Sequence, residues 1–126
     1  MYHQITPSPA SVYDRTPDDF RAELQRLARE NYVPVTADEY ATGHIDIPAG
    51  THPVVLTLDD GSSSQFSLDA SGKPAPDTAV GILLDTASQH PGFRPVAVQR
   101  RGGRVRVDRL AGQAERQPGA ALHVGR

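Results

Sequence analysis

Apolar positions fall into two periodicities along the first 98 residues. Phe20, Leu24, Leu27 and Ala28 recur at i, i+4, i+7 and i+8, a single stripe on a 3.6-residue period, which predicts an amphipathic helix over 16–31. Its start is spelled out locally. Thr16 supplies an N-cap oxygen, Pro17 tolerates the first turn, and Asp18 and Asp19 suit the positive end of the helix dipole. After "YVPV", Thr36 with Glu39 three residues on forms a capping box, and the short helix through Tyr40 is expected to stop at Gly43. Tyr32 and Tyr40, with Phe20, are expected to pack between these helices and a sheet.

The next stretch, "HIDIPAGTHP", is a loop. Pro53 to Leu58 is a near-continuous β-prone run in which Thr57 is the only polar member, the pattern of a strand buried on both faces of a parallel sheet. Residues 67–77 are rich in turn formers. Pro76, Asp77 and Thr78 then open a helix carrying Val80, Ile82, Leu83, Leu84 and Ala87, which ends near His90-Pro91-Gly92. Val96 to Val98 reads as the following strand. Strand, loop, helix and strand at this spacing make a βαβ unit, so residues up to 98 are expected to be α/β with a parallel sheet.

The β-prone run ends in "LDDGSSSQF", which puts Asp59 and Asp60 at the carboxyl end of a strand, where parallel sheets collect functional groups. Consecutive strand residues face opposite ways, so two adjacent carboxylates can take different tasks, one on a metal and one moving protons. A plain alternative is that Asp59, Asp60 and Gly61 form a polar turn and cap. Haloacid-dehalogenase chemistry needs an Asp where Leu58 stands, and Asp69 to Gly72 offers too few oxygens for a calcium loop.

The segment "PVVLTLDDGSSSQFSLDASGKPAPDTAVGILLDTASQHPGFRPVA" resembles polysaccharide deacetylases of the NodB-homology type, whose first motif reads Thr-Phe-Asp-Asp-Gly or Thr-Phe-Asp-Asp-Ser. "TPDDFRAELQRLAREN", "YVPVTADEY" and "MYHQI" resemble the segments ahead of that motif, so the likeness covers residues 1 to about 97. It implies an incomplete (β/α) barrel and metal-dependent removal of acetyl groups from a cell-wall or exopolysaccharide. By that likeness Asp59 matches the general base acting on metal-bound water, and Asp60 matches a ligand of the metal, usually zinc. Leu58 stands in place of the usual Phe. The family's other ligands form a His-x-x-x-His pair, whereas the histidines here are His3, His44, His52, His90 and His123, no two of them four apart. Zinc is therefore expected to be held weakly or not at all. His3 is expected to lie near the cleft as a satisfied histidine, and His52 and His90 need no function.

Charge divides the chain in the same place. Residues 1–97 hold 6 basic and 13 acidic side chains, and residues 98–126 hold 7 Arg, no Lys, one Asp and one Glu, so a net of -7 meets a net of +5. This Arg/Gly/Ala-rich tail has no sustained period. It resembles the product of a shifted reading frame, and 98–126 is expected to be disordered and poorly packed, or to turn at Gly102-Gly103 as a hairpin onto Val96 and Val98. Arginines alone can neutralise phosphate, but no aromatics are interleaved for base stacking, so nucleic acid is not favoured as a partner. A partial barrel leaves open sheet edges, which predicts self-association.

With 126 residues and no cysteine, one domain without disulfides or thiolate metal sites is expected. The N-terminus lacks a signal-peptide pattern, which reads as cytoplasmic for the chain as written, whereas the family resemblance implies an extracellular or cell-envelope location.

Overall fold

The computed structural model describes residues 1–100 and the backbone of 121–124. The elements run α1 (Pro17–Arg29), β1 (Tyr32–Pro34), α2 (Ala37–Thr42), β2 (His52–Val54), β3 (Thr57–Asp59), α3 (Ala79–Gln89), β4 (Val96–Arg100) and β5 (Ala121–Val124). They form a small mixed α/β domain whose strands lie in two short parallel sheets, β1-β2 and β3-β4-β5. No closed barrel is present among the described residues.

The helix ends follow the local chemistry. The Thr16 hydroxyl accepts from the Asp19 N–H, Thr36 and Glu39 cap each other reciprocally, and the Thr78 hydroxyl accepts from the Gly81 N–H. Gly43 ends α2 at φ 74°, a left-handed conformation that costs glycine little. Helices α1 and α3 pack together over the sheet. Phe20 and Leu24 from α1 and Ile82 and Leu83 from α3 meet Ile5, Leu56, Leu58 and Ala97 in one core. Leu24 is fully buried, which stabilises by about 1.5–3 kcal/mol relative to exposure. Tyr32 is half-buried against His52, their rings 5.3 Å apart, but Tyr40 is 59% exposed, so it is not the packing residue expected.

The run from Pro53 to Leu58 does not form one strand. It divides at Val55 and Leu56, with β2 pairing on β1 and β3 pairing on β4. Two-sided burial is also corrected. Leu56 and Leu58 enter the core while Thr57 and Asp59 are half-buried on the other face, the alternation of a strand covered mainly on one side. A near-continuous apolar run could not reveal the break, because the choice of partner strand is non-local.

The sheet also continues past Ala97. Strand β4 runs to Arg100, with Val96 to Gln99 buried, and β5 lies beside it in parallel, Val96 against Ala121 and Gln99 against Val124. Both sides of β4 are thus occupied, by β3 and β5. Residues 99, 100 and 121–124 therefore take part in the sheet, and the strand beside Val96 and Val98 runs parallel to them. The proposed Gly102-Gly103 turn and the rest of the tail lie outside the described residues.

Candidate functional site

Asp59 ends β3 between two parallel neighbours. On one side Thr57, Leu58 and Asp59 register with Val98, Gln99 and Arg100 of β4. On the other, the Tyr2 N–H donates to the Thr57 carbonyl at 2.8 Å and the Asp59 N–H donates to the Tyr2 carbonyl at 2.9 Å. The N-terminal segment is thus the second partner of this strand, and it delivers His3 to the strand's carboxyl end.

There the chain turns through two consecutive left-handed residues, Asp60 at φ 72° and Gly61 at φ 63°. Glycine adopts this conformation freely, and aspartate is among the few other residues that tolerate it. The turn carries Asp60 off the sheet, and its side chain is 66% exposed with Oδ2 3.6 Å from Nδ1 of His3. The His3 ring stacks on Tyr13, centroids 5.0 Å apart, and the His3 N–H donates to the Tyr13 carbonyl at 3.0 Å. Asp59, one residue earlier, remains half-buried beside the sheet. The two carboxylates therefore meet different surroundings.

Polar side chains knit the following loop beneath them. Ser62 Oγ and Ser64 Oγ lie 2.6 Å apart and both reach Gln4 Oε1 at 3.1 Å, while Ser64 Oγ accepts from the Ile5 N–H at 3.1 Å. Gln65, fully buried, donates from Nε2 to the His3 carbonyl at 2.6 Å and to the Asp59 carbonyl, and its Oε1 accepts from Gln99 Nε2 at 3.3 Å. Burying an amide is tolerable when its donors and acceptor are all matched, as they are here.

Composition and spacing select Asp59 and Asp60 but do not reveal the closeness of His3 to Asp60, because the two lie 57 positions apart in sequence and are brought together by the Tyr2 to Leu58 bridge and by Gln65. Ser62, Ser64 and Gln65 also escape sequence reasoning. A fully buried glutamine inside a serine turn is their one distinguishing sign. His44, His52 and His90 lie elsewhere, on the α2–β2 connection, in β2 and at the end of α3.

A catalytic zinc ion takes three protein ligands with one open position. Among the described residues no three His, Asp or Glu side chains converge on one point. His3 and Asp60 offer one imidazole and one carboxylate, and this set does not fit a catalytic zinc. A pocket of about 290 Å³ lined by Arg15, Asp19, Ala22, Glu23 and Arg26 shares no residue with the aspartate site. No helix among the described residues is long and apolar enough to cross a membrane.

Compared with protein-family models, with curated proteins and with solved structures, the chain gives no match.

Proposed function

We propose that residues 1–97 carry the aspartate half of a polysaccharide deacetylase site, with Asp59 as the base and Asp60 as the metal-facing carboxylate. The supporting observation is the different placing of the two carboxylates at the end of β3. Asp59 is half-buried in a strand paired on both sides, and Asp60 is turned outward at φ 72° beside His3. The likeness of "TLDDGSSSQF" to the family's first motif adds the substrate class, an acetylated cell-wall or exopolysaccharide. The second half of the site, two imidazoles one helical turn apart, has no counterpart in the sequence. The chain itself is thus expected to hold a divalent ion weakly and to release no acetate.

Titration with cobalt(II) or zinc tests this. Weak binding is expected that Asp60→Asn abolishes and Asp59→Asn preserves, with no acetate released from acetylated chitooligosaccharides. Binding indifferent to Asp60→Asn would remove the reading.

One observation favours a second reading, in which the same surface binds carbohydrate without turnover. Tyr13 is 44% exposed and stacked on His3, which presents an aromatic face next to Asp60. Chitooligosaccharide that shifts the Tyr13 ring resonances in metal-free protein would support it, and unchanged resonances would exclude it.

A further inference from the structure

We infer that Gln65 is a positioning residue, the clamp that fixes the backbones of His3 and Asp59 and so sets the approach of His3 to Asp60; any consequence for metal binding rests on the reading of Asp60 given above. The clamp is built from one side chain. Nε2 donates both hydrogens, to the carbonyl of His3 at 2.6 Å and to the carbonyl of Asp59, so the backbones on which the imidazole and the two carboxylates are mounted share a single nitrogen. Oε1 accepts from Gln99 Nε2, which ties the amide to β4 and fixes which end is oxygen. The backbone of Gln65 is tied as well: its N–H donates to the Ser62 carbonyl at 3.0 Å, and its carbonyl accepts from the Val80 N–H at 3.0 Å near the start of α3. With no exposure to solvent, the side chain cannot exchange these partners for water.

This arrangement has a chemical requirement. Two carbonyls and one amide donor must be answered by two donors and one acceptor on a planar group, which a glutamine supplies and a glutamate does not. Asparagine has the same groups on a side chain one methylene shorter, so from the same backbone it reaches at most one of the two carbonyls. His3 and Asp60 make only one direct side-chain contact, at 3.6 Å with the carboxylate largely exposed, which is too weak to hold the segments by itself. The Tyr2–Thr57 and Asp59–Tyr2 backbone bonds join the two segments one residue back, and the clamp fixes the backbones of His3 and Asp59 beyond that bridge.

The test compares the wild type, Gln65→Met, Gln65→Asn and a control, Thr86→Val. Thr86 is equally buried, and its hydroxyl bonds only to the Ile82 carbonyl within α3. In each background Asp60→Asn is added and the His3 ring proton shifts are read by NMR at one fixed pH. The expected result is a clear displacement of the His3 resonances by Asp60→Asn in the wild type and in Thr86→Val, reduced at least threefold in Gln65→Met and Gln65→Asn. An undiminished displacement in a folded Gln65 variant, or a loss just as large in Thr86→Val, overturns the inference. Should Gln65→Met fail to fold, the shorter Gln65→Asn decides. Cobalt(II) affinity of the same proteins, at least fivefold weaker in the Gln65 variants alone, reports the consequence for the metal. Wild-type protein that ignores cobalt removes Asp60 as a metal-facing carboxylate of this chain, while the NMR comparison still decides the role of Gln65.

Discussion

The Tyr2 phenol donates a hydrogen bond to Glu23 Oε2 at 2.8 Å, and the other oxygen of the same carboxylate accepts from Arg15 Nε at 2.8 Å. This contact pins the N-terminal segment, and with it His3, to α1. Burial of the phenol comes first and the Glu23 carboxylate second in disfavouring the phenolate, so Tyr2 ionises well above the usual tyrosine range. A raised value means that the stabilisation is complete below the unfolded value, about 10, and is lost as the pH climbs above it. Tyr2→Phe should therefore cost about 1 kcal/mol at neutral pH. The variant should also lose stability less steeply than the wild type above about pH 10, as read from denaturant melts at several pH values.

Glu39 closes the capping box of α2 and also meets Arg94. Its carboxylate accepts from the Thr36 N–H at 2.7 Å and from Arg94 Nη2 at 3.1 Å, and these bonds, the backbone one first, hold its ionisation below 4.5. The sign here is opposite to that of Tyr2. The contribution is present above 4.5 and disappears as the pH falls through the lowered value. Glu39→Gln should flatten the acid limb of the stability curve, and Thr36→Ala should cost about 1 kcal/mol at neutral pH. Urea midpoints between neutral and acid pH check both.

Gly81 lies in the first turn of α3, where a Cβ would run into the backbone carbonyl of Ala75. Backbone cannot swing aside as a flexible side chain can. Although alanine is the better helix former, Gly81→Ala should destabilise by about 1–3 kcal/mol, the range for overpacking a tight site. A higher melting temperature in the variant would show that the loop before α3 yields readily.

Asp60 occupies a left-handed conformation at φ 72°. Glycine would relax the backbone but is more flexible when unfolded, so Asp60→Gly should gain no more than about 0.5 kcal/mol, while Asp60→Val should lose about 1–2 kcal/mol. If the carboxylate faces a metal as proposed, Asp60→Gly should also abolish cobalt(II) binding. A variant that is more stable yet does not bind would place Asp60 among residues kept for chemistry at some expense in stability.

Replacing residues 98–126 by a segment that completes β4 and carries a His-x-x-x-His pair should create deacetylase activity under the proposed reading. Asp59→Asn in that longer chain should reduce acetate release by at least a hundredfold, the lower end of what a general base contributes, with metal still bound. Retained turnover would assign the base elsewhere.

The helices were legible because their signals are local. Thr16 before Pro17, the Thr36–Glu39 box, Gly43 and Thr78 each act within about one turn of chain, so the residues that set α1, α2 and α3 are those that form them. The parallel βαβ step from β3 through α3 to β4 was legible for a related reason, since spacing and periodicity constrain it. Asp59 and Asp60 stood out because two carboxylates are conspicuous after an apolar run. Pairing decided the rest. The division of Pro53 to Leu58 between two sheets, the parallel seat of β5 on β4, the meeting of His3 with Asp60 and the clamp of Gln65 on both backbones depend on segments far apart in the chain. Hydrogen bonds between distant strands carry no mark in either sequence alone, because every residue other than proline offers the same backbone donor and acceptor. Only the packed core, which brings Ile5, Leu58 and Ala97 together, selects which of them are made.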